Sequence, residues 1–509
     1  MLKKILSKLN AKSEKKSYIA QSSADRIKLK EKNIQSSLDK TLAAFKSLYN
    51  YPTNRDVTIR NLKIGGLNKK AALFFIDTIT NTQVIEDHVI RPLLQNNDDS
   101  KQLEDIISIQ SITTKQQIGD ILTEINNGNA VLFIDGQTDA YIISAADFKE
   151  KNIEKAENEI VIKGPGEAFS EGAQTNISLI RKKIRNENLV FESVIISERS
   201  NNGVLIVYIK DLANEQLVAN IRNRLNKLDT DSIQNLALLE QHIEERQMSI
   251  FPSILYTERP DRATSFIEDG FIALIMESSP AALVLPANFW SIFHSSEDRY
   301  LRFLDGNFTR LLRMIALFIT LFTSALYIAI SDFHPELVPP DLLLAMIATR
   351  EKVPFPPFIE VLLMEMSFEL IREAGLRVPA PIGPTIGIVG ALILGQAAVE
   401  ANLVSPLVVI SVALGGLSSF AIGDMSLNFA VRIIRFFIIS AAALFGIYGM
   451  VALLTLGMFY LVSLKSFGVP YFAPSTPKYV SSKDTIFRRF LTNQLFRPGY
   501  LKPKDITKK

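Results

Sequence analysis

Long apolar runs without a charged residue are confined to the second part of the chain. They contain 17, 22, 23 and 29 residues and cover Met314–Ile330, Val378–Val399, Ala401–Gly423 and Phe436–Leu464. A helix needs about 20 apolar residues to cross a bilayer. The pattern therefore predicts four membrane-spanning helices, at about 311–330, 381–399, 402–423 and 436–464. The last run is longer than needed, which predicts a tilt or a bend near Gly446 and Gly449.

Prolines interrupt the connection between the first two predicted spans. Six of them divide it into short pieces, which predicts interrupted helices over 341–374. Irregular backbone at membrane depth is tolerated where it is buried in protein or lines water. Another apolar stretch, Phe271–Phe293, contains an acid and two prolines, so it predicts a hairpin rather than a span.

Basic residues flank the predicted membrane domain on both sides. Arginines precede the first span, and residues 465–509 hold ten Lys and Arg against two Asp and Glu. By the positive-inside rule, both ends face the cytoplasm, and four crossings satisfy this. Arg432 and Arg435 conflict with the positive-inside rule, because four crossings put them at the outer end of the last span. A fifth crossing at 357–371 removes that conflict but moves the basic tail outside, so we predict four.

The first 300 residues or so contain an internal repeat. At an offset of 133 residues, Phe75-Ile76 matches Tyr208-Ile209 and Asn81 matches Asn214, and at an offset of 141 the hairpin 131–146 matches 272–287. Each copy predicts a strand followed by a helix that starts at an asparagine. The predicted fold class is an α/β soluble N-terminal region of two repeated α/β modules, followed by an all-α polytopic membrane domain.

This pattern predicts six segments. They are a basic N-terminal arm at 1–49, cytoplasmic α/β module 1 at 50–148, a linker helix region at 149–186, cytoplasmic α/β module 2 at 187–294, a membrane domain at 295–465 and a basic cytoplasmic tail at 466–509. The arm is either a solvated segment or a contact with the anionic cytoplasmic leaflet. Membrane lipids are therefore expected partners.

Composition narrows the possible chemistry. Cysteine is absent, the four histidines are isolated in sequence, and no nucleotide-binding, metalloprotease or hydrolase motif occurs. We therefore predict that the chain is not an enzyme, has no catalytic residues, needs no cofactor or metal and does not bind nucleic acid. From Leu311 onward, 199 residues carry 17 Lys and Arg and 12 Asp and Glu, which is about half the charge density of the preceding region.

Several short strings carry a family resemblance over roughly residues 50–475. They are Lys163-Gly164-Pro165, Thr175-Asn176-Ile177-Ser178-Leu179-Ile180-Arg181, Val353-Pro354-Phe355-Pro356, Phe368-Glu369-Leu370-Ile371-Arg372-Glu373-Ala374-Gly375, Gly395-Gln396-Ala397-Ala398-Val399 and Ser466-Phe467-Gly468-Val469-Pro470-Tyr471. Together they resemble GerA-family spore germination proteins, the A subunit of nutrient germinant receptors. Gly166, Ser278 and Gly423-Asp424 depart from the usual residues of that family.

The resemblance implies a function and partners. It implies a multi-pass protein of the spore inner membrane that works with a transporter-like B subunit and a lipoprotein C subunit. It also implies a homo-oligomer of A subunits whose membrane domain is a nutrient-gated cation channel that triggers germination. The alternative is a membrane-anchored scaffold or signalling subunit with no pore of its own.

Small and polar residues of the second predicted span are the first candidates for an ion path. Gly383, Gly387, Ala391 and Gly395 recur every four positions and share one helix face, which either packs closely on another helix or lines a pore. Gln396 and Glu400 follow them. These two predict a polar mouth, because a carboxylate facing lipid is costly, or else an ordinary helix end at the headgroups.

Acids between the first and second spans are the second candidates. Glu365, Glu369 and Glu373 advance by about 40° per step and so share one helix face. They either line the outer approach to a cation path or form a solvated face with ion pairs to Arg372 and Arg377. Polar residues such as Asp424 and Asn428 are not needed in a pure anchor. Their presence favours transport, and Asp424 completes the candidate ion-path residues.

Overall fold

The computed structural model describes most of the chain. The described residues are 30–98, 100, 102–109, 111–149, 156, 158–377, 393–482 and 484–508. Residues 1–29 of the predicted basic arm lie outside this part. So do Gly383, Gly387 and Ala391.

The first sheet has five strands. The strands are β1 (Val57–Lys63), β2 (Lys70–Ile76), β3 (Ile112–Lys115), β4 (Ala130–Ile134) and β5 (Ala140–Ile143). They lie in the order β1-β2-β4-β5-β3, and every neighbouring pair is antiparallel. β2 and β4 are central and almost entirely buried, because helices and loops cover both faces of the sheet.

The second sheet repeats this arrangement. Its strands are β6 (Leu189–Ile195), β7 (Gly203–Ile209), β8 (Leu255–Thr257), β9 (Ile272–Met276) and β10 (Ala282–Leu285), in the order β6-β7-β9-β10-β8 and again all antiparallel. The shared order confirms the repeat predicted from the sequence. Asn81 and Asn214, which the repeat pairs, both cap helices by accepting backbone N–H groups, from Val84 at 3.1 Å and Gln216 at 3.0 Å.

Helices cover the two sheets. In chain order they are α1 (Leu38–Leu48), α2 (Thr82–Ile85), α3 (Arg91–Gln95), α4 (Leu103–Ile106), α5 (Ile118–Asn126), α6 (Ala173–Lys183), α7 (Glu215–Asn226), α8 (Leu236–Ile243), α9 (Pro260–Ile267), α10 (Phe289–Phe293) and α11 (Glu297–Tyr300). α1 lies within the predicted arm, yet Phe45 packs on Phe74 and Phe133 of the first sheet. Module 1 therefore begins before residue 50, because the apolar face of α1 completes its core.

A buried ion pair joins the two modules. Arg181 of α6 donates from Nε and Nη2 to the carboxylate of Asp56 at 2.8 and 3.1 Å, and both side chains are buried. Nη1 and Nη2 also donate to the backbone carbonyls of Asn186 and Leu189, both at 2.9 Å. The guanidinium thus connects the loop before β1 with the start of β6.

The helical region, residues 303–463, follows module 2. Its helices are α12 (Phe303–Phe333), α13 (Pro340–Arg350), α14 (Pro357–Arg377), α15 (Pro406–Ser419) and α16 (Met425–Ser463), and residues 393–400 are also helical. Of the described helices, α12 and α16 are long and apolar enough to cross a membrane. The interruption predicted over 341–374 is limited to residues 351–356, since α14 is continuous over 21 residues.

α16 bends sharply at Gly446 and forms a hairpin of two legs, residues 425–445 and 447–463. Gly446 has φ 57° and ψ −142°, a conformation that side chains disfavour. This confirms the bend predicted from the length of the apolar run. Leu427 at the start of the first leg and Leu461 at the end of the second share one hydrophobic core with Phe293 of module 2. Both legs therefore have one end at module 2.

Contacts along the helices define their directions. α12 begins at module 2 and ends at Phe333, which lies beside Gly446. In the first turn of α14, Glu360 lies next to Ser405, and in its second half Arg372 lies next to Ser419. Relative to module 2, α12 runs away and α14 returns, residues 393–400 run away and α15 returns. The two legs of α16 then run away and return.

The basic C-terminal segment packs on module 2. The N–H of Phe289 donates to the carbonyl of Tyr471 at 2.9 Å, and Tyr471 and Tyr500 lie in the core of module 2. The guanidinium of Arg488 donates to the carbonyls of Asp298, Arg299 and Leu301. These bonds tie the segment to the start of α12.

Candidate functional site, an ionic cluster between the helices

Five charged side chains meet inside the helical region and are called the ionic cluster below. They are Glu365, Glu369, Arg372, Arg432 and Arg435. Nη2 of Arg435 lies 2.7 Å from Oε2 of Glu365 and 2.8 Å from Oε1 of Glu369. Glu365 and Arg435 are both 0% exposed, so this pair is fully withdrawn from solvent.

Helical spacing brings these residues together. Glu365, Glu369 and Arg372 occupy positions i, i+4 and i+7 of α14 and so lie on one face. Arg432 and Arg435 are three residues apart on the first leg of α16 and face α14. Arg432 donates to Glu369, so α14 and α16 are joined by two arginines through one carboxylate.

Two further helices contribute hydrogen bonds to the cluster. Ser324 of α12 donates from Oγ to Oε1 of Glu365 at 2.6 Å. Arg372 donates from Nη2 to the carbonyl of Gly416 at 3.2 Å and to Oγ of Ser419 at 2.7 Å, both in α15. The ring of Phe368 lies over Gly416, where a side chain would clash with it. The cluster therefore fixes α12, α14, α15 and α16 relative to each other.

The cluster has more positive than negative groups. Three arginines share two carboxylates, and within the described part of the chain several buried guanidinium nitrogens have no hydrogen-bond partner: Nε of Arg372, Nε of Arg432, and Nε and Nη1 of Arg435. Buried donors without acceptors are costly. Removing Glu369 would leave Arg432 without a carboxylate partner, and breaking a buried ion pair in this way typically costs about 3–5 kcal/mol.

A second buried carboxylate lies at the end of the helical region far from module 2. Oε2 of Glu360 accepts the N–H of Ser405 at 2.9 Å, and Oε1 lies 3.5 Å from Nε of Arg350. The hydroxyls of Tyr327 and Ser405 are 3.3 Å apart. Polar groups are thus buried at both ends of α14.

The three acids predicted as a stripe differ in environment. Glu365 is buried and Glu369 is ion-paired, whereas Glu373 is exposed and lies 2.7 Å from Nη2 of Arg377. The expectation that all three face water is wrong for Glu365. Each interval of four residues turns the side chain by about 40° around the helix axis, so the three acids pass from the interior to the surface within about two turns. Arg435 is the interior partner of the first acid, Glu365.

The other predicted residues lie apart from the cluster. Gly395 is buried, and a Cβ there would be 3.6 Å from Val409 of α15, so it faces protein. Nε2 of Gln396 donates to Oε1 of Glu400 at 2.9 Å on the exposed surface. Asp424 caps α16 by accepting the N–H of Leu427 at 2.9 Å. Gly383, Gly387 and Ala391 lie outside the described residues.

Sequence reasoning did not identify the arginine side of the cluster. The available signal was that Arg432 and Arg435 conflicted with the positive-inside rule. A topology of four crossings placed these two basic residues at the outer end of the last span. In the structure, Arg432 lies on the module 2 side, where it lines a cavity together with Arg259. Charges within an apolar helix are themselves a sign of a buried partner or of function.

Charged residues also connect the helical region to module 2. The carboxylate of Asp298 lies 3.2 Å from Nε of Arg310 and 2.9 Å from Nη1 of Arg313, both on α12. Nearby, burial and the charge of Arg310 lower the pKa of His294 to about 4. Its Nε2 lies 2.6 Å from the carbonyl of Thr485, so the neutral ring donates to that oxygen. In the described residues, no three acids or histidines are grouped as a metal site.

Comparison with known proteins assigns the family. The family model described as Bacillus/Clostridium GerA spore germination protein matches residues 43–500. The chain belongs to the GerA family. This confirms the resemblance seen in the short strings of its sequence, and it places the chain among the A subunits of spore germination receptors.

Individual relatives align over most of the chain. Spore germination protein KA of Bacillus subtilis (strain 168) is 37% identical over 465 residues, which are 89% of this chain and 85% of that protein. Spore germination protein GerLA of Bacillus cereus is 36% identical over 89% of this chain and 93% of that protein. The uncharacterized membrane protein YfkQ of Bacillus subtilis (strain 168) is 35% identical over 84% of each chain.

One solved structure is also similar. It is the crystal structure of the N-terminal domain of the A subunit of the Bacillus megaterium spore germinant receptor GerK3. It is 28% identical, covers 50% of this chain and 97% of that chain, and superposes with a TM-score of 0.41.

Proposed function

We propose that this chain is the membrane subunit of a spore nutrient germinant receptor and that several copies form a nutrient-gated cation path. Membership of the GerA family supports the receptor role. The expected partners are a transporter-like B subunit and a lipoprotein C subunit. The charged groups inside the helical region support the ion path, because charges at membrane depth usually mark ion or proton routes.

The proposed topology has six crossings in place of the four predicted from the sequence, with module 2 and the C-terminal segment both in the cytoplasm. Support comes from the alternating directions of α12, α14, residues 393–400, α15 and the two legs of α16. At about 1.5 Å per residue the legs are roughly 30 and 25 Å long, close to the thickness of a bilayer core. Six crossings also start the first leg of α16 at the cytoplasmic side, which puts Arg432 nearer to that side, as the positive-inside rule favours.

The ionic cluster carries the proposal for gating. Arg435 occupies the carboxylates of Glu365 and Glu369, the groups that would otherwise attract a permeating cation. A guanidinium held there acts as a tethered cation and keeps the path closed. Movement of the first leg of α16 away from α14 would withdraw Arg435 and expose both acids to the ion.

Exposed polar groups support assembly of several copies. Gln396 and Glu400 are bonded to each other on the outer surface of the helices. A carboxylate facing lipid is costly, so this surface is better accommodated against another copy or at a water-filled lumen.

The test is potassium flux through liposomes that contain the full chain with its B and C partners. Arg435→Gln should raise flux without nutrient at least about tenfold, which requires only about 1.4 kcal/mol less preference for the closed state. The matched control is Arg377→Gln, which removes the same charge from an exposed pair at the C-terminal end of α14 and should leave flux unchanged. If Arg435→Gln stays closed at normal abundance and nutrient elicits no flux in the unsubstituted receptor, the chain is a scaffold.

A further inference from the structure

A cavity of about 350 Å³ lies where module 2 meets the helical region, and it is called the junction cavity below. Four arginines line it, Arg259 and Arg262 from module 2 and Arg372 and Arg432 from the helices. Among the lining residues Glu159 is the single carboxylate. The volume lies within the range typical of small-molecule sites. The four guanidinium groups outnumber the three carboxylates that pair with them, Glu159, Asp261 and Glu369, so the remaining positive charge favours an anion.

The arginines of the wall are held in fixed positions by neighbouring groups. Arg259 is 1% exposed and donates from Nη2 to Asp261 at 3.0 Å and to the carbonyl of Pro165 at 2.8 Å. Arg262 donates to the carbonyls of Ser291 and His294. Fixed guanidinium groups are well suited to phosphate, because little side-chain entropy is lost when they bind it.

Three of these arginines have unused hydrogen-bond donors. The Nε atoms of Arg259, Arg372 and Arg432 are buried and have no partner within the described residues. The side chains of Arg259 and Arg372 are more than nine-tenths buried, and both line the cavity. Buried donors without an acceptor indicate that the site is completed by a ligand or by water.

The rim of the junction cavity is apolar and exposed. Phe420, Met425 and Phe429 lie at the module 2 ends of α15 and α16, and Ile160 of the linker is 78% exposed beside them. Exposed apolar groups around a charged site mark an interaction surface. In the proposed topology this rim lies at the level where headgroups meet acyl chains.

We propose that the junction cavity binds the phosphate-bearing headgroup of an anionic phospholipid from the cytoplasmic leaflet. The arginines bind the phosphate, and the apolar rim accepts the first part of an acyl chain. The ligand then bridges Arg259 and Arg262 of module 2 to Arg372 and Arg432 of the ionic cluster. This inference rests on the proposed membrane placement of the helices, but it does not depend on ion conduction.

Met425→Glu tests the site without removing any of its arginines. Met425 is the first residue of α16, where an acid favours the helix dipole, so the helix should be retained. A carboxylate in the cavity wall opposes an anion. Ser426→Glu is the matched control, since it adds the same charge in the same turn but does not line the cavity. Met425→Gln separates the effect of charge from the loss of the apolar side chain.

The measurement is lipid retention by the purified full chain after exchange into nanodiscs of phosphatidylcholine with one-tenth phosphatidylglycerol, read by native mass spectrometry. Met425→Glu should lower retained phosphatidylglycerol at least about tenfold, as expected for a like charge within a few ångströms, while Ser426→Glu and Met425→Gln should change it less than about twofold. Equal retention in all variants would overturn the proposal.

A second arm separates a lipid from a free anion. Inorganic phosphate added to nanodiscs of pure phosphatidylcholine should not protect the protein against thermal unfolding, whereas nanodiscs with one-tenth phosphatidylglycerol should. Equal protection by inorganic phosphate would overturn the lipid assignment in favour of a small-anion site. Neither readout requires flux, so a channel that fails to conduct would leave this result unaffected.

Discussion

Replacing Asp56 with asparagine should loosen the connection between the two modules, because it leaves Arg181 buried without its counter-ion. The change preserves the shape of the side chain and removes one charge. Arg181 donates twice to this carboxylate, at 2.8 and 3.1 Å, and its other bonds go to backbone carbonyls that cannot neutralise it. The perturbation is therefore electrostatic rather than steric.

The magnitude follows from these contacts. Asparagine keeps one acceptor oxygen and places an NH2 group against the other guanidinium donor, so both charge-assisted bonds are weakened or lost. Such bonds contribute roughly 1.5–3 kcal/mol each, which predicts at most about 3–6 kcal/mol. Breaking a buried ion pair by removing one partner typically costs about 3–5 kcal/mol, which agrees. For 150–250 residues, about 2–4 °C in melting temperature corresponds to 1 kcal/mol, so Asp56→Asn should lower the melting temperature by roughly 6–20 °C.

Tryptophan fluorescence provides the assay. The chain has one tryptophan, Trp290, which donates from Nε1 to Ser475 at 3.0 Å and so reports unfolding of module 2 together with its C-terminal segment. Glu167→Gln is the matched control. It removes a charge that pairs with Lys182 and Lys183 of the same helix, but this pair is partly exposed and should contribute less than about 1 kcal/mol.

The comparison with the control decides the outcome. If Asp56→Asn melts within about 2 °C of the unsubstituted chain, or no lower than Glu167→Gln, burial of the pair has not made it more costly to break. Replacing both partners, Asp56→Asn with Arg181→Met, should recover part of the loss because no buried charge then remains unpaired.

Three further predictions concern single positions. Burial lowers the pKa of His294 from 6.5 to about 4, so the unfolded state takes up a proton first and stability should fall as the pH drops from about 6.5 to 4. In thermal melts at several pH values, His294→Asn should make stability depend less on pH, and an unchanged pH dependence would contradict this. Gly446→Ala adds a Cβ 2.9 Å from Phe333 at a φ of +57°, so it should lower thermal stability in detergent by at least about 1–3 kcal/mol, and a normal melt would refute this. Gly395→Leu, which meets Val409, should reduce assembly or flux, whereas normal oligomers and flux would show that this face tolerates bulk.

The sequence predicted the parts of the fold that depend on local pattern. The repeat was visible because both modules need a buried central strand followed by an asparagine-capped helix, so similar residues recur at similar spacing. The bend at Gly446 was visible because the apolar run was too long for one crossing. In both cases the information lies in residues that are close together along the chain.

Other features depend on contacts between distant segments. The last uncharged run starts at Phe436. The helix itself starts earlier, at Met425, and includes Arg432 and Arg435. The partner that makes a buried arginine tolerable, Glu365, is 70 positions earlier, and no local pattern connects the two. For the same reason the spacing of the acids on α14 gave their common face but not its direction.

The hairpin of α16 has a mechanical consequence. Module 2 holds the start of α12 and both ends of the hairpin, while the opposite end of α12 rests against Gly446. These elements form a closed frame in which no helix can slide along its own axis without moving the others. A displacement of module 2 must therefore be taken up by tilting of the legs and by rotation at Gly446. Because Arg435 sits on one of those legs, even a small tilt would change its distance from Glu365.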